Sequence, residues 1–364
     1  MNKRIMQLCL SPNLGGLELY MHRLSMFLRP RIVTHITIAE QSRLLTKFTE
    51  DQQRLVLRRS SWKNIFHNAR ALARYIDDNK IDCLHMHWTK DLPLCVFAIK
   101  LSQRQPKLIQ SRHMNMTRFK SDFYHRYLYK KVDLMIAVTQ QVKQQITHFV
   151  PKDICPTVKV SYIGAAPYQP ISSQTYIALR QQYNLGDNFV IALAGRIEPA
   201  KGQAILIEAL QKLDKCNIKL LLIGDAMEAD YLAQLKADIA ESQLTDDIVF
   251  TGFADNVQDL MAISDCVVLA TDKETFGMVI IEAMHTGTAV IASNSGGPLE
   301  IIEDKKDGLL FESGDPDNLA EKLTYYIDNP ESQKQIAHSG KETAKHRFDQ
   351  DKQFKEIENI LTNA

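Results

Sequence analysis

The sequence predicts an α/β protein of two doubly wound, Rossmann-like domains, and three observations lead there. Short apolar, β-branched runs alternate with longer helical stretches, the pattern of parallel strands covered by helices on both faces. The alternation occurs in two blocks, and 364 residues exceed what one hydrophobic core usually serves. Between the blocks lies the turn-rich stretch GAAPYQPISS (164–173), where the charge of the chain changes sign.

In the first block, strands are expected at RIMQLCL (4–10), IVTHITIA (32–39), RLVL (54–57), DCLHMH (82–87), KLIQSR (107–112), LMIAV (134–138) and VKVSYI (158–163). Helical patterns near 17–28, 62–78, 91–104, 121–131 and 140–148 separate most of them. The second block offers NFVIALAG (188–195), IKLLLIG (218–224), DIVFTG (247–252), CVVLA (266–270), AVIAS (289–293) and GLLF (308–311). The division expected is 1–165 and 166–345, with the remaining C-terminal residues apart. Sheets of this kind bind ligands at the carboxyl ends of their strands, so a cleft between the domains is the expected site.

The composition, 45% hydrophobic and 24% charged, is that of an ordinary soluble globular protein. No apolar run reaches the roughly 18–20 residues that cross a bilayer. The opening MNKRIMQLCLSPNLGG is expected to be a buried strand, not a signal peptide, which makes the cytoplasm the expected compartment. Six scattered cysteines with no C-x-x-C are expected to be buried free thiols. Residues 1–165 carry 27 Lys/Arg against 11 Asp/Glu, and residues 166–364 carry 17 against 32, so halves of +16 and −15 underlie the net +1. Such a basic half should face an anionic partner: nucleic acid, an acidic membrane surface or a phosphorylated acceptor. Nucleic acid is set aside, because no binding motif is present and the acidic half opposes a polyanion running across both domains.

The chemistry gathers at expected strand ends. In DKETFGMVIIEAMHTG, Glu282 sits among apolar residues where a helix would bury it, and Glu274 lies eight positions earlier. Carboxylates in such surroundings need a partner. Thr275, Phe276 and Gly277 would offer backbone N–H groups to an anion where that helix begins. After the strand at 188–195 come Gly195, Arg196, Lys201 and Gly202, a basic pair between glycines that suits a diphosphate. Gly15-Gly16 follow the first strand at another helix start, although the spacing is not G-x-G-x-x-G and a dinucleotide fold is poorly supported. Carboxylates on either side of a diphosphate grip fit a nucleotide sugar. His85 and His87 share a strand face, but no third ligand accompanies them to make a metal site. Asp315-Pro316-Asp317 has the D-x-D form, yet reads as a helix start with Asp315 as the cap.

These residues resemble the retaining GT-B glycosyltransferases of family 4, many of which assemble lipopolysaccharide and polysaccharide. The resemblance rests on E-x(7)-E at Glu274 and Glu282, G-R-x-x-x-x-K-G, and the Gly15-Gly16 turn. Ile-Gly-Asp at 223–225, Phe-Thr-Gly-Phe at 250–253 and SNSGGPLEII, ending at Ile302, extend it nearly end to end. It implies that Arg196 and Lys201 neutralise the donor diphosphate, that Glu282 holds the ribose and that Glu274 holds the transferred sugar. Thr275, Phe276, Gly277 and Met278 would lie alongside, with Gly195 and Gly224 at neighbouring strand ends and Phe253 near the base. His113 would sit beside the reacting sugar, Gly15 and Gly16 beside the diphosphate, and Glu18 and His87 along the acceptor. The closing HRFDQDKQFKEIENIL resembles the family's terminal helix, expected over about 346–364 and packing back on the first domain.

The implied reaction transfers a hexose-type sugar with retention from a UDP- or GDP-sugar to a saccharide or lipid-linked acceptor. No metal or other cofactor is expected, because Arg196 and Lys201 do a metal's electrostatic work. The basic first half, with FKSDFYHRYLYKK (119–131) and RRSSWKNIFHNARALARYI (58–76, carrying Trp62 and Phe66), is expected to touch an anionic membrane peripherally. The competing readings are a nucleotide-sugar epimerase of the same fold, whose acid/base carboxylates cannot be placed, and a binding protein without catalysis, against which Arg196, Lys201, Glu274 and His113 argue.

Overall fold

The computed structural model describes residues 3–49, 52–58, 63–213, 217–242 and 244–363. Trp62 and Cys216 lie outside the described residues. The chain divides into two units: Met1–Tyr162 together with Asp351–Ala364, and Ile163–Gln350.

The first unit contains β1 (Arg4–Cys9), β2 (Val33–Ala39), β3 (Arg54–Leu57), β4 (Cys83–Met86), β5 (Lys107–Arg112), β6 (Leu134–Ala137) and β7 (Thr157–Val160), all paired in parallel in the order β3-β2-β1-β4-β5-β6-β7. The second contains β8 (Phe189–Ala194), β9 (Ile218–Ile223), β10 (Ile248–Gly252), β11 (Cys266–Leu269), β12 (Ala289–Ser293) and β13 (Leu309–Phe311), parallel in the order β10-β9-β8-β11-β12-β13. Each sheet reverses its strand order once, between β1 and β4 and between β8 and β11. Those points open a crevice at the carboxyl ends of an otherwise continuous sheet. The strands fall within a few residues of the apolar runs because both faces are covered: β4, β6, β11 and β12 are buried at every position.

Helix boundaries follow local caps. Asp122 Oδ1 accepts from His125 N (3.1 Å) and starts the helix Phe123–Tyr129 later than the expected 121. Thr139 and Ser172 cap two further helices in the same way, accepting from Val142 N (3.0 Å) and Thr175 N (3.1 Å). Asp315 receives Asp317 N (2.9 Å) and Asn318 N (3.1 Å) at the start of the helix Pro316–Asp328, and Asp317 pairs with Lys212 (2.8 Å).

The single terminal helix expected from about 346 is replaced by a break. Pro330–Arg347 is one helix and Gln350–Asn363 the next. The backbone between them turns to Ala165: Phe348 O accepts from Ala165 N (2.9 Å), and Gln350 N donates to Ala165 O (3.1 Å). Those groups are lost to any helical ladder. The last helix then buries Phe354, Ile357 and Leu361, one face at helical spacing. Phe354 meets Tyr20 edge-on (5.6 Å) and tilts against Phe27 (5.5 Å), so this helix belongs to the core of the first unit. The described cysteines are free; four are buried and Cys155 is half-buried.

Candidate functional site

In the second unit the loop leaving β8 runs from Gly195 through a short turn at Pro199–Lys201 into the helix Gln203–Gln211. Gly202 has φ 75°, and a Cβ there would lie 2.3 Å from Ala270 O, at the end of β11. Only glycine lets this loop press against the neighbouring strand end. The buried Gln203 amide holds the loop from below, donating to Arg196 O (2.9 Å). Gly195 and Gly224 back onto each other, for a Cβ at Gly224 would meet Gly195 O at 2.1 Å.

That approach joins the two expected halves of the grip. Lys201 Nζ lies 3.2 Å from Glu274 Oε2, both side chains partly buried. The other oxygen of Glu274 accepts from Thr275 N (3.1 Å), and its backbone carbonyl accepts from Gly297 N (3.0 Å). Arg196, mostly exposed, pairs instead with Glu198 (2.9 Å), a residue the motif reading passed over. The helix Met278–Thr286 begins after Gly277, at φ 104°. Met278 is half-buried at its first position. Glu282 is half-buried in its second turn, not fully buried as the surrounding apolar residues suggested, because its side of the helix is incompletely covered. Phe276 directs its ring into the core against Phe348 (6.1 Å), so its backbone, not its side chain, can serve a ligand. Phe253 is 72% exposed, with its N–H held by Asp225 (2.9 Å).

In the first unit, Gly15 and Gly16 open the helix Gly16–Leu28. Glu18, expected along the acceptor, is buried and accepts from Gly15 N (2.8 Å). It closes the first turn as half of a capping box. His87 is likewise held by protein groups. It is 1% exposed, with Nε2 2.8 Å from Gln7 Oε1 and Nδ1 3.3 Å from His113 Nε2. With Gln7 Oε1 as acceptor, His87 would donate from Nε2 and accept from His113 Nε2 at Nδ1. His113 is half-buried, edge-on to Tyr20 (4.9 Å). His85 donates to or accepts from Ser111 Oγ (2.8 Å). Burial lowers the pKa of His85 to about 3 and of His113 to about 4, and takes His87 well below the usual value, with neighbouring cations and imidazoles adding to each. All three are neutral at pH 7.

Asp91, fully buried under Leu10 N (2.9 Å), is pushed the other way, up to about 8, by desolvation. The histidines release their protons on folding, so they lose stability as pH falls below 6.5. Asp91 retains its proton on folding, so it loses stability as pH rises from about 4 to about 8. Between pH 6.5 and 8 the Asp91 effect remains, about 2 kcal/mol. Thermal melts of the wild type should peak near pH 6.5 and decline above it, whereas Asp91→Asn should flatten the alkaline side. Parallel curves for the two proteins would refute this.

Sequence reasoning missed Glu198, Gln203, Gln7, Tyr20 and Gly297. Gln7 carried a signal, a polar residue inside an otherwise apolar strand. Gly297 lies inside SNSGGPLEII and Glu198 between Arg196 and Lys201, yet neither stretch gives them a role: Gly297 acts through its N–H on Glu274 O, and Glu198 through its pair with Arg196. Among the described residues, no cluster of three or more His, Cys, Asp or Glu could hold a metal, and no helix is long and apolar enough to cross a membrane.

Comparison with known proteins shows the family. The family model "Glycosyltransferase Family 4" matches residues 14–156, and "Glycosyl transferases group 1" matches 176–343. N-acetyl-alpha-D-glucosaminyl L-malate synthase of Bacillus anthracis is 25% identical over 305 residues, 80% of this chain and 77% of that protein. The lipopolysaccharide core biosynthesis glycosyltransferase LpsD of Rhizobium meliloti (strain 1021) is 28% identical over 225 residues, 62% of each. Anabaena HepE, solved in complex with UDP and glucose, superposes with a TM-score of 0.85 at 25% identity over 100% of both chains. With the two family models side by side on its two Rossmann-like units, the chain belongs to the GT-B glycosyltransferases of family 4, group 1, and is a transferase enzyme.

Proposed function

We propose that this glycosyltransferase moves a hexose, with retention of anomeric configuration and without a metal, from a UDP-sugar to a saccharide or lipid-linked acceptor of a surface polysaccharide or lipopolysaccharide. The observation that carries the donor half is the Lys201–Glu274 pair at the β8/β11 switch point, with Arg196 on the same loop. A cation and an acid that satisfy each other without ligand suit a donor with phosphate at one end and hydroxyls at the other. Lys201 and Arg196 then turn to the diphosphate and stabilise its charge as it leaves, while Glu274 accepts from the sugar and Glu282 from the ribose. In the retaining route, the departing phosphate oxygen takes the acceptor proton on the face where the new bond forms, so the protein's share is positioning and charge stabilisation. HepE, with its UDP, glucose and UDP-glucose complexes, supports UDP over GDP as the carrier.

A thermal-shift screen against UDP-, GDP-, ADP- and CMP-sugars tests the donor. UDP-sugars should give the largest shift, and a larger one from any other set refutes the assignment. Proton NMR of the first product reports the anomeric outcome, and activity that persists in EDTA supports a metal-free route.

We also assign the basic unit to a membrane surface. Phe66, Met114, Phe119 and Phe123 are more than half exposed, Phe123 at 88%, on segments that also carry Lys63, Arg118, Arg126 and Lys130. Apolar rings amid cations suit an anionic interface. The protein should float with phosphatidylglycerol vesicles and not with phosphatidylcholine vesicles, and equal flotation at moderate salt would sink the idea.

A further inference from the structure

The first unit has a cavity of about 610 Å³ at the carboxyl ends of β1 and β4. Trp88, Tyr124 and Tyr129 supply rings to its wall, Asn68 an amide, and Lys90 and Lys120 cations; no Asp or Glu is among its described lining residues. Behind the wall lies Arg112, 7% exposed. Its guanidinium donates to Met114 O (2.8 Å), Asn115 O (2.8 Å) and the wall residue Thr89 (Oγ1, 3.1 Å). These partners are all uncharged, and among the described residues no carboxylate pairs with it. A buried guanidinium so placed is an expensive arrangement unless an anion arrives.

Lys120 compounds the deficit. Burial lowers its pKa, and the charge of Arg112 lowers it further. The carboxylate acting on Lys120 is that of Asp122, which is held by His125 through both backbone and ring. Two further polar atoms of the wall residues, Asn68 Oδ1 and the Tyr129 hydroxyl, are buried without a hydrogen-bond partner. Excess cation and aromatic rings in one concavity, over polar atoms unpaired beneath the wall, describe a ligand with a negative group and a sugar-sized face. Rings stack on the apolar side of a pyranose, and cations meet a phosphate or carboxylate.

We propose that this cavity is the acceptor subsite for an anionic saccharide, one carrying a phosphate or carboxylate, with Lys90 and Lys120 as its counter-charge and Arg112, behind Thr89, adding its field. This deepens the proposed function: it rests on transfer to a saccharide acceptor and names the charge and the place that the acceptor would take in the first unit. A neutral sugar would leave Arg112 uncompensated, and free phosphate would leave the ring-lined part of the wall unused.

Titration calorimetry on the full chain tests this with glucose 6-phosphate, glucose and inorganic phosphate as probes. Glucose 6-phosphate should bind at least about tenfold more tightly than either of the others, and Lys120→Gln should weaken it by about tenfold, the usual loss of one charge-assisted hydrogen bond. Lys90→Gln should act in the same direction. Glucose binding as well as glucose 6-phosphate, phosphate alone matching it, or Lys120→Gln binding it like the wild type would each overturn the proposal. UDP-glucose titrated into the same samples keeps the donor reading separate. Its binding should be unchanged by Lys120→Gln, and its failure with the wild type would refute the donor assignment while leaving the anion result standing.

Discussion

Lys201→Ala should lower kcat/KM by about 10²–10³ while leaving the melting temperature nearly unchanged. A fixed cation facing charge that develops on a leaving diphosphate contributes on this scale, because it acts where water is displaced. Its contribution to the fold is small: a partly exposed ion pair stabilises by at most about 1 kcal/mol, and Glu274 retains its bond from Thr275 N (3.1 Å). Glu274→Ala separates the two roles of the pair. It frees Lys201, so affinity for UDP alone should hold or rise, whereas turnover of the UDP-sugar should fall by orders of magnitude for want of the sugar contact. A protein that loses UDP affinity and turnover together on Glu274→Ala has its carboxylate on the nucleotide side. Unchanged turnover removes Glu274 from the donor-sugar role. Arg196→Ala should resemble Lys201→Ala in kinetics, since Arg196 is exposed and its Glu198 pair (2.9 Å) adds little to stability.

The parallel strands were legible because burial on both faces writes uninterrupted apolar runs, as in AVIAS, which is buried at every position and bounds its strand to the residue. Helix ends were less so. The Phe348–Gln350 break is decided by hydrogen bonds to Ala165, nearly two hundred positions away, and nothing local announces it. At the site, the motif reading named Lys201 and Glu274 separately, but not that they meet across 73 positions. It placed Glu18 and His87 by resemblance where the structure has one capping a helix and the other tied to Gln7 and His113. Residue type carries the chemistry a site can perform. Which partner each group spends itself on is a property of packing, and Glu198 enters only through it.

Two glycine substitutions should have opposite signatures. A Cβ at Gly297 would lie 2.2 Å from Phe276 O and 2.4 Å from its Cα, both backbone atoms that no rotamer can move aside. Gly297→Val therefore forces the Glu274–Gly277 segment outward, breaks the Gly297 N to Glu274 O bond (3.0 Å) and shifts the start of the helix Met278–Thr286. The expected cost is about 3 kcal/mol or more in stability, with turnover lower by about 10²-fold, since the carboxylate moves on the ångström scale. At Gly16 an added Cβ meets nothing within 4 Å, and the residue opens a helix. Gly16→Ala should leave the protein as stable or add about 0.5 kcal/mol by restricting the unfolded chain. A fall in the turnover of Gly16→Ala would then report on a ligand contact alone, since the fold is untouched. Gly16→Ala with wild-type kinetics would take Gly16 out of the donor site, and Gly297→Val with wild-type melting would mean that the segment carrying Glu274 yields more readily than its packing requires.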